Sequence, residues 1–288
     1  VDISRIFVID LHIHSNFSDG TWLPDEVVSY AARIGLSTIA LTDHDNVSGI
    51  PEALSAGEKY GVEVIPGVEI TSYHRGVETH VLGYFIDWKN NNFLTTIRKL
   101  SEYRNGAISE MVALLARKDY TISMNDVISA SRSEYVGRPH VARALVDNGV
   151  FASVQDAFDG GPIGDDGECF VPMSNLSTEN AIEQIISAGG IAVIAHPGAW
   201  PGNGKIFPAE DIPKLVKSGL GGIECAHPRH SVDVRRHLEG IADSLGIAKS
   251  AGSDCHGDYY DPVKMGSVRM PVDWLLDLKS RHLKGGTR

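Results

Sequence analysis

Two spacings of apolar residues alternate along this chain. Short β-branched runs fall at residues 6–11, 38–41, 63–68, 79–84, 191–195, 222–225 and 247–251. Between them apolar residues recur every three or four positions, the period of an amphipathic helix. Such alternation predicts parallel βα units, and this number of strands approaches the eight of a closed (β/α) barrel. Residues 24–34 read as a helix opened by Pro24 and stopped at Gly35, and residues 48–60 as one stopped at Gly61. Further helical patterns cover 178–188, 209–218, 231–245 and 272–282, the last followed by a loose GGTR end.

The rhythm breaks between residues 92 and 172. There helical patterns at 93–119, 124–131 and 139–148 follow one another without an intervening apolar strand, and GGPIGDDG (160–167) reads as a glycine-rich return loop. The organisation predicted is an α/β core from residues 1–91 and 173–288, with 92–172 inserted as a mainly helical cap subdomain. No internal repeat or low-complexity tract is present.

Composition narrows the function classes. With 42% hydrophobic and 22% charged residues, the 288-residue chain has the make-up of a folded domain. Lys+Arg 26 against Asp+Glu 37 leaves a net charge of −11, whose field repels long nucleic acids and anionic membranes. A phosphate-bearing ligand therefore needs local cations. No run approaches the ~20 apolar residues of a membrane span, and the first residues do not resemble a secretory leader, so a cytoplasmic protein without a membrane partner is expected. Cys169, Cys225 and Cys255 lack C-x-x-C spacing, which argues against a disulfide framework or a thiolate zinc knuckle.

The candidate chemistry sits at strand ends. Asp10-Leu-His12-Ile-His14 closes the first strand, and alternation puts both imidazoles on one side of an extended chain, where they can face one ion. Later strands end in Asp43-His44-Asp45, Glu69, His196, His227 with His230, and Asp254 with His256, while His80 lies on or near the fourth. In parallel barrels the loops at that end converge on one mouth. Asp43 or Asp45 could orient the His44 ring, and Asp10 a neighbouring ligand. Asp19, in Ser-Asp-Gly, also reads as a turn residue before the first helix. Cys255 alternates away from Asp254 and His256, toward packing. Tyr73, Trp88, Tyr135 and Trp200 are weighed as base-stacking residues against ordinary packing roles; His74, His237 and His282 are given no function.

The ordered set HIHSNFSDG (from His12), LTDHD (from Leu41), GVEI (from Gly67), THVLGY (from Thr79), IAHPG (from Ile194), GIECAHPRH (from Gly222) and GSDCH (from Gly252) resembles the polymerase and histidinol phosphatase superfamily of metal-dependent phosphoesterases. The helical insert matches the cap of its branch containing nucleotide phosphoesterases and small exoribonucleases. This resemblance implies a distorted (β/α)7 barrel holding two or three divalent ions, with Mn, Fe or Zn suited to the donor set and Mg to the third position. His12, His14, Glu69 and Asp254 would hold one ion; Glu69 would bridge to a second, held with His80 and His196; Asp19, His44 and His256 would form the third position. Asp19 stands where some relatives have His.

A phosphate monoester needs donors for its oxygens, and Arg138 and His140 in GRPH, with His227, Arg229 and His230, are the candidates for contacting it. The resemblance implies hydrolysis of a small phosphorylated metabolite, a nucleotide such as AMP or a nucleoside 3′,5′-bisphosphate, by metal-activated hydroxide attack on phosphorus. Arg138 would then neutralise phosphoryl charge and His230 protonate the leaving alkoxide. Alternatives are a 5′-to-3′ exonuclease on short RNA, a histidinol phosphate phosphatase and a non-catalytic nucleotide- or phosphate-binding module.

Overall fold

Strand pairing in the computed structural model, which describes residues 8–131, 133, 135–198, 207–258 and 264–285, produces one seven-stranded sheet in chain order. Its strands are β1 (Val8–Ile13), β2 (Leu36–Leu41), β3 (Glu63–His74), β4 (Val77–Tyr84), β5 (Ile191–Ile194), β6 (Gly222–Ala226) and β7 (Ala248–Ala251). Just beyond β7, Asp254 N–H donates to the His12 carbonyl at 2.9 Å, and His14 N–H to the Cys255 carbonyl at 2.9 Å. The sheet thus curls round, and its last segment meets its first strand at the end where the histidines lie. This is the distorted α/β barrel expected.

The expectation of uniformly parallel units needs correcting. β4 runs antiparallel to both β3 and β5. The cause lies in the turn between His74 and Val77, where Arg75 and Gly76 have φ of 51° and 80°. Two successive left-handed residues make the tight hairpin whose twist matches paired strands, so the chain reverses instead of crossing over.

Alternation divides each strand between two environments. Ile39 and Leu41 pack outward with Val27, Val28, Ala31, Ala53 and Ala56 from α1 (Pro24–Arg33) and α2 (Ile50–Tyr60). Val68, Ile70 and Val81 pack with Ala181, Ile182 and Ile185 of α7 (Thr178–Ser187). The opposite faces bring Asp10, His12, Glu69 and Glu224 together in full burial.

Between β4 and β5 lie α3 (Asn91–Arg117), α4 (Met124–Ser131), α5 (Arg138–Asp147) and α6 (Val154–Phe158). Asn90 caps α3, its side chain accepting from the N–H groups of Asn92 and Phe93. Phe93, Ile97 and Leu100 at the start of α3 belong to the barrel core. Ala107, Ile108, Met111, Val112 and Leu115 belong to a separate core shared with α4 and α5. α6 was not expected, since five residues are too short to show a period.

Around the sheet, residues 209–218 begin as a 3-10 turn, Ala209–Asp211, before α8 (Ile212–Lys217). They do not form the single helix expected, because Pro213 in the first turn has no N–H for an earlier carbonyl. α9 (Val232–Leu245) and α10 (Val272–Gly285) complete the layer. Residues 6 and 7 of the first expected strand, Trp200 and the terminal 286–288 lie outside the described residues.

Candidate metal centre

Every candidate ligand comes from a strand or the residues just after one, apart from Asp19 in the turn that precedes α1. His12 Nε2 and His14 Nε2 lie 3.1 Å apart. Both face Glu69 Oε2, at 2.9 and 3.1 Å, and Asp254 Oδ1, at 3.3 and 3.1 Å. Glu69 divides its oxygens: Oε2 also meets His44 Nε2 at 3.5 Å, while Oε1 meets His80 Nδ1 at 3.1 Å and His196 Nε2 at 3.0 Å. A further set forms where His256 Nε2 lies 3.2 Å from Asp19 Oδ1 and His44 Nε2 lies 4.0 Å from Asp19 Oδ2.

Among the described residues, donor atoms converge to within 4.8 Å of one another in three groups: His12, His14, Glu69, Asp254; His14, Asp19, His44, His256; and His44, Glu69, His80. His196 falls outside these groups although it touches Glu69, and His14 joins the set around Asp19. The donors fit divalent cations. Imidazole nitrogens 3.1 Å apart, each facing carboxylates in full burial, are poor partners for one another and good ones for a shared ion. Asp19 Oδ1 and His80 Nδ1, which face the cluster, are buried without an aligned hydrogen bond, as expected of groups set for coordination.

Charge follows the same geometry. Burial alone would raise the Glu69 pKa, but His12, His44 and His80 hold it well below the usual carboxylate range. Burial would lower His14, yet Asp254 and Glu69 outweigh it and hold the ring up at about 10. His80, against Glu69 and Glu78, is likewise held at about 10 despite burial. Burial prevails at His44, pushed down to about 3.

Backbone strain appears at the same place. His196 and Asp254 have φ of 28° and 55°, left-handed values rarely adopted outside glycine. Gly252 allows the chain to come that close, since a Cβ there would meet His12 Cβ at 2.2 Å.

Neither carboxylate beside His44 orients its ring. Asp43 Oδ1 accepts from Ser15 N–H at 2.7 Å and Ser18 Oγ at 2.6 Å, and Ser18 Oγ in turn lies 3.3 Å from His14 Nδ1. Asp45 accepts from Thr71 N–H at 2.9 Å and Arg104 Nη1 at 3.0 Å. Asp10 accepts from the N–H groups of Ser253 and Gly266, at 2.8 and 2.7 Å, and so fixes backbone, not a ring. Sequence reasoning missed the carboxylate that does orient a ligand ring. Glu224, fully buried, faces His12 Nδ1 at 3.1 Å and accepts from His196 N–H at 2.6 Å. Its signal was an acid inside the otherwise apolar strand GIECA.

A cavity of about 240 Å³ opens over the centre, lined by Asp19, His44, Glu69, His80, His196 and Asp254 and by residues of the helical segment between β4 and β5. Arg138, His227 and Arg229 reach it. Arg138 is already engaged, Nη2 with Glu78 at 2.6 Å and Nη1 with Asp165 at 2.8 Å. His227 Nδ1 accepts from Arg229 N–H at 3.2 Å, leaving Nε2 toward Asp254 Oδ2 at 3.4 Å. His140 Nδ1 accepts from Gly137 N–H at 3.0 Å, capping α5. His230 is not among the cavity-lining residues: Nδ1 donates to the Cys225 carbonyl at 2.9 Å, and Nε2 accepts from Gly198 N–H at 3.2 Å. Both its nitrogens are therefore held by backbone, which leaves no proton aimed at a leaving group. Of the aromatic residues weighed, Tyr135 lines the cavity, Tyr73 Oη donates to Glu78 at 2.9 Å, and Trp88 packs on the barrel core. Phe158 and Arg104 also line the cavity and were not expected.

Known proteins are similar to this chain in sequence and fold. Residues 10–163 match the PHP domain family. The 3′,5′-nucleoside bisphosphate phosphatase of Chromobacterium violaceum is 33% identical over 254 residues, 86% of this chain and 87% of that protein. A 5′-3′ exoribonuclease of Haemophilus influenzae is 32% identical over 247 residues, 86% of this chain and 89% of the other. A solved structure from Bifidobacterium adolescentis, provisionally named a metal-dependent phosphoesterase, superposes with a TM-score of 0.87 at 30% identity, covering 96% of each chain.

Proposed function

Because this chain belongs to the PHP domain family and is a metal-dependent phosphoesterase, we propose that its substrate is a small nucleotide, a nucleoside 3′,5′-bisphosphate or a monophosphate such as AMP. The observation that carries this reading is the division of the Glu69 carboxylate between two sets of histidines directly beneath a cavity sized for a small molecule. One ion is assigned to His12, His14, Glu69 and Asp254; a second to Glu69, His80 and His196; a third position to Asp19, His44 and His256. Bound there, divalent ions supply Lewis-acid polarisation of a phosphoryl oxygen and activation of water at neutral pH.

The chain's own groups do the rest. Glu224 and the Asp43–Ser18 pair hold the His12 and His14 rings in position. Arg138 is held rigid at the cavity wall by Glu78 and Asp165, and Arg229 adds an exposed cation at its edge. His227, with its proton on Nε2 because Nδ1 accepts from Arg229 N–H, is better placed than His230 to hand a proton to a leaving oxygen. The relatives' names support nucleotide substrates. Beyond Phe158 an adjoining hollow is lined by Asp165, Asp166 and Glu168, whose charge disfavours a longer polyanion and so favours a mononucleotide over an RNA end.

The test is phosphate release by metal-loaded protein from AMP, adenosine 3′,5′-bisphosphate, short 5′-phosphorylated RNA and histidinol phosphate, with a chelator control. Preference for a mononucleotide supports the proposal; preference for RNA or histidinol phosphate replaces it.

A further inference from the structure

A histidine ligand has two ring nitrogens, and the one turned away from the ion needs a partner that fixes the ring. Glu224 and Ser18 meet the far nitrogens of His12 and His14 in this way, both rings facing the cluster through Nε2. At His80 the nitrogens exchange roles. Its Nδ1 faces Glu69 Oε1 at 3.1 Å, while Nε2, across the ring, meets Glu78 Oε1 at 3.3 Å.

Glu78 stands two positions before His80 on β4, on the same face of the strand. It is 6% exposed and lies outside the three convergent donor groups found among the described residues, so its contact with the centre is made through the far nitrogen of His80. Burying a carboxylate is unfavourable unless its oxygens are paired. Tyr73, directly opposite in the β3–β4 pairing, donates to Oε2 at 2.9 Å, and Arg138 Nη2, at the start of α5, donates to Oε1 at 2.6 Å. Arg138 is itself tied through Nη1 to Asp165 at 2.8 Å. Held from two sides, Oε1 is a fixed acceptor. Arg138 alone would neutralise the acid; the approach of His80 Nε2 to the same oxygen gives it a second task. A neutral imidazole with its proton on Nε2 has its lone pair on Nδ1, the atom that faces Glu69.

We propose that Glu78 is a positioning residue for the second ion: it keeps the His80 proton on Nε2 and so aims Nδ1 at the position shared with Glu69 and His196. The proposal rests on the metal-centre reading above and deepens it, adding the group that fixes His80 and that joins this position to α5 through Arg138.

The experiment titrates metal-free protein with Mn2+ against a fluorescent chelator in wild type, His80→Ala, Glu78→Gln, Glu78→Asp and Tyr73→Phe, with a thermal scan on each. The binding step lost in His80→Ala identifies the ion that His80 serves. Glu78→Gln should weaken that step by about 10- to 100-fold and leave the remaining steps within about threefold of wild type. Glu78→Asp keeps the charge beside Arg138 but draws the oxygens back from His80; it should weaken the same step, and it decides the matter should Glu78→Gln fail to fold. Tyr73→Phe disturbs the same carboxylate at the oxygen remote from His80, and should leave every step within about threefold. If the folded Glu78 variants retain the step that His80→Ala loses, or if Tyr73→Phe weakens it as much as they do, the proposal is overturned and the ligand set stands. If His80→Ala itself retains every step, His80 is no ligand, and the metal assignment falls together with the proposal.

Discussion

Replacing Glu224 with Gln tests whether a buried carboxylate outside the ligand set governs metal affinity. The side chain is fully buried and makes two hydrogen bonds, one facing His12 Nδ1 at 3.1 Å and one accepting from His196 N–H at 2.6 Å. Gln keeps the volume and removes the charge. Each bond then drops from charge-assisted to neutral strength, a loss of about 1 kcal/mol apiece. The amide has one oxygen for two donors, so one N–H faces an NH2 group and goes unpaired, costing a further ~1–3 kcal/mol. Part of this total falls on folding. The share that reaches the metal should match the 10- to 100-fold affinity losses typical of disturbed orienting groups, about 1.4–2.8 kcal/mol. Competition of the loaded protein against a fluorescent chelator measures the affinity, and circular dichroism with a thermal scan measures the fold. A folded variant that binds Mn or Zn within about threefold of wild type would refute the reasoning.

Glu69→Ala should lose bound metal and phosphatase activity together, since one carboxylate faces both histidine sets; elemental analysis showing full occupancy in an active variant would end the bridging assignment. Metal uptake should release protons: His14 and His80, held at about 10 without metal, are protonated at pH 8 and must give up that proton to coordinate, so affinity rises with pH. Calorimetry in two buffers of different ionisation enthalpy reads the number released. The same raised values mean that these pairs stabilise the metal-free fold fully below pH 6.5 and that this contribution is lost as pH rises toward 10. Gly106→Ala, at an exposed position within α3 where a Cβ would meet nothing, should stabilise by ~0.5–1 kcal/mol and raise Tm by a few degrees; a lower Tm would show that the helix bends there by design.

The alternation of short apolar runs with helical periods was enough to expose the sheet, and His-x-His with the strand-end acids pointed to the cluster. Direction was not legible at β4, because reversal depends on the backbone angles of Arg75 and Gly76, which no apolar pattern encodes. Partnerships were harder still. Asp43 and Asp45 sit beside His44 in sequence, yet they serve the backbone of Ser15 and Thr71, on chain segments remote in sequence. Glu224 and Arg104 left fainter marks, a lone acid in a buried strand and a lone cation on the buried stripe Phe93, Ile97, Leu100, Ile108. A charged residue breaking an apolar stripe is a usable signal, since burying it unpartnered is unfavourable.

The reversal of β4 also sets how the helices that follow it are mounted. Tyr84 at its end lies beside Gly67 and Ile191, near the starts of their neighbours' shared pairing, so the chain leaves the sheet at the far end from the histidines. It must climb the full height of the barrel to reach the mouth, and α3 does so in one unbroken span of 27 residues, about 40 Å long. The second core is thus carried on a stiff strut whose lower half is embedded in the barrel wall. Crowding the seat of Phe93 or Ile97 is therefore expected to shift Arg104, on the same helix, at the cavity wall well above it.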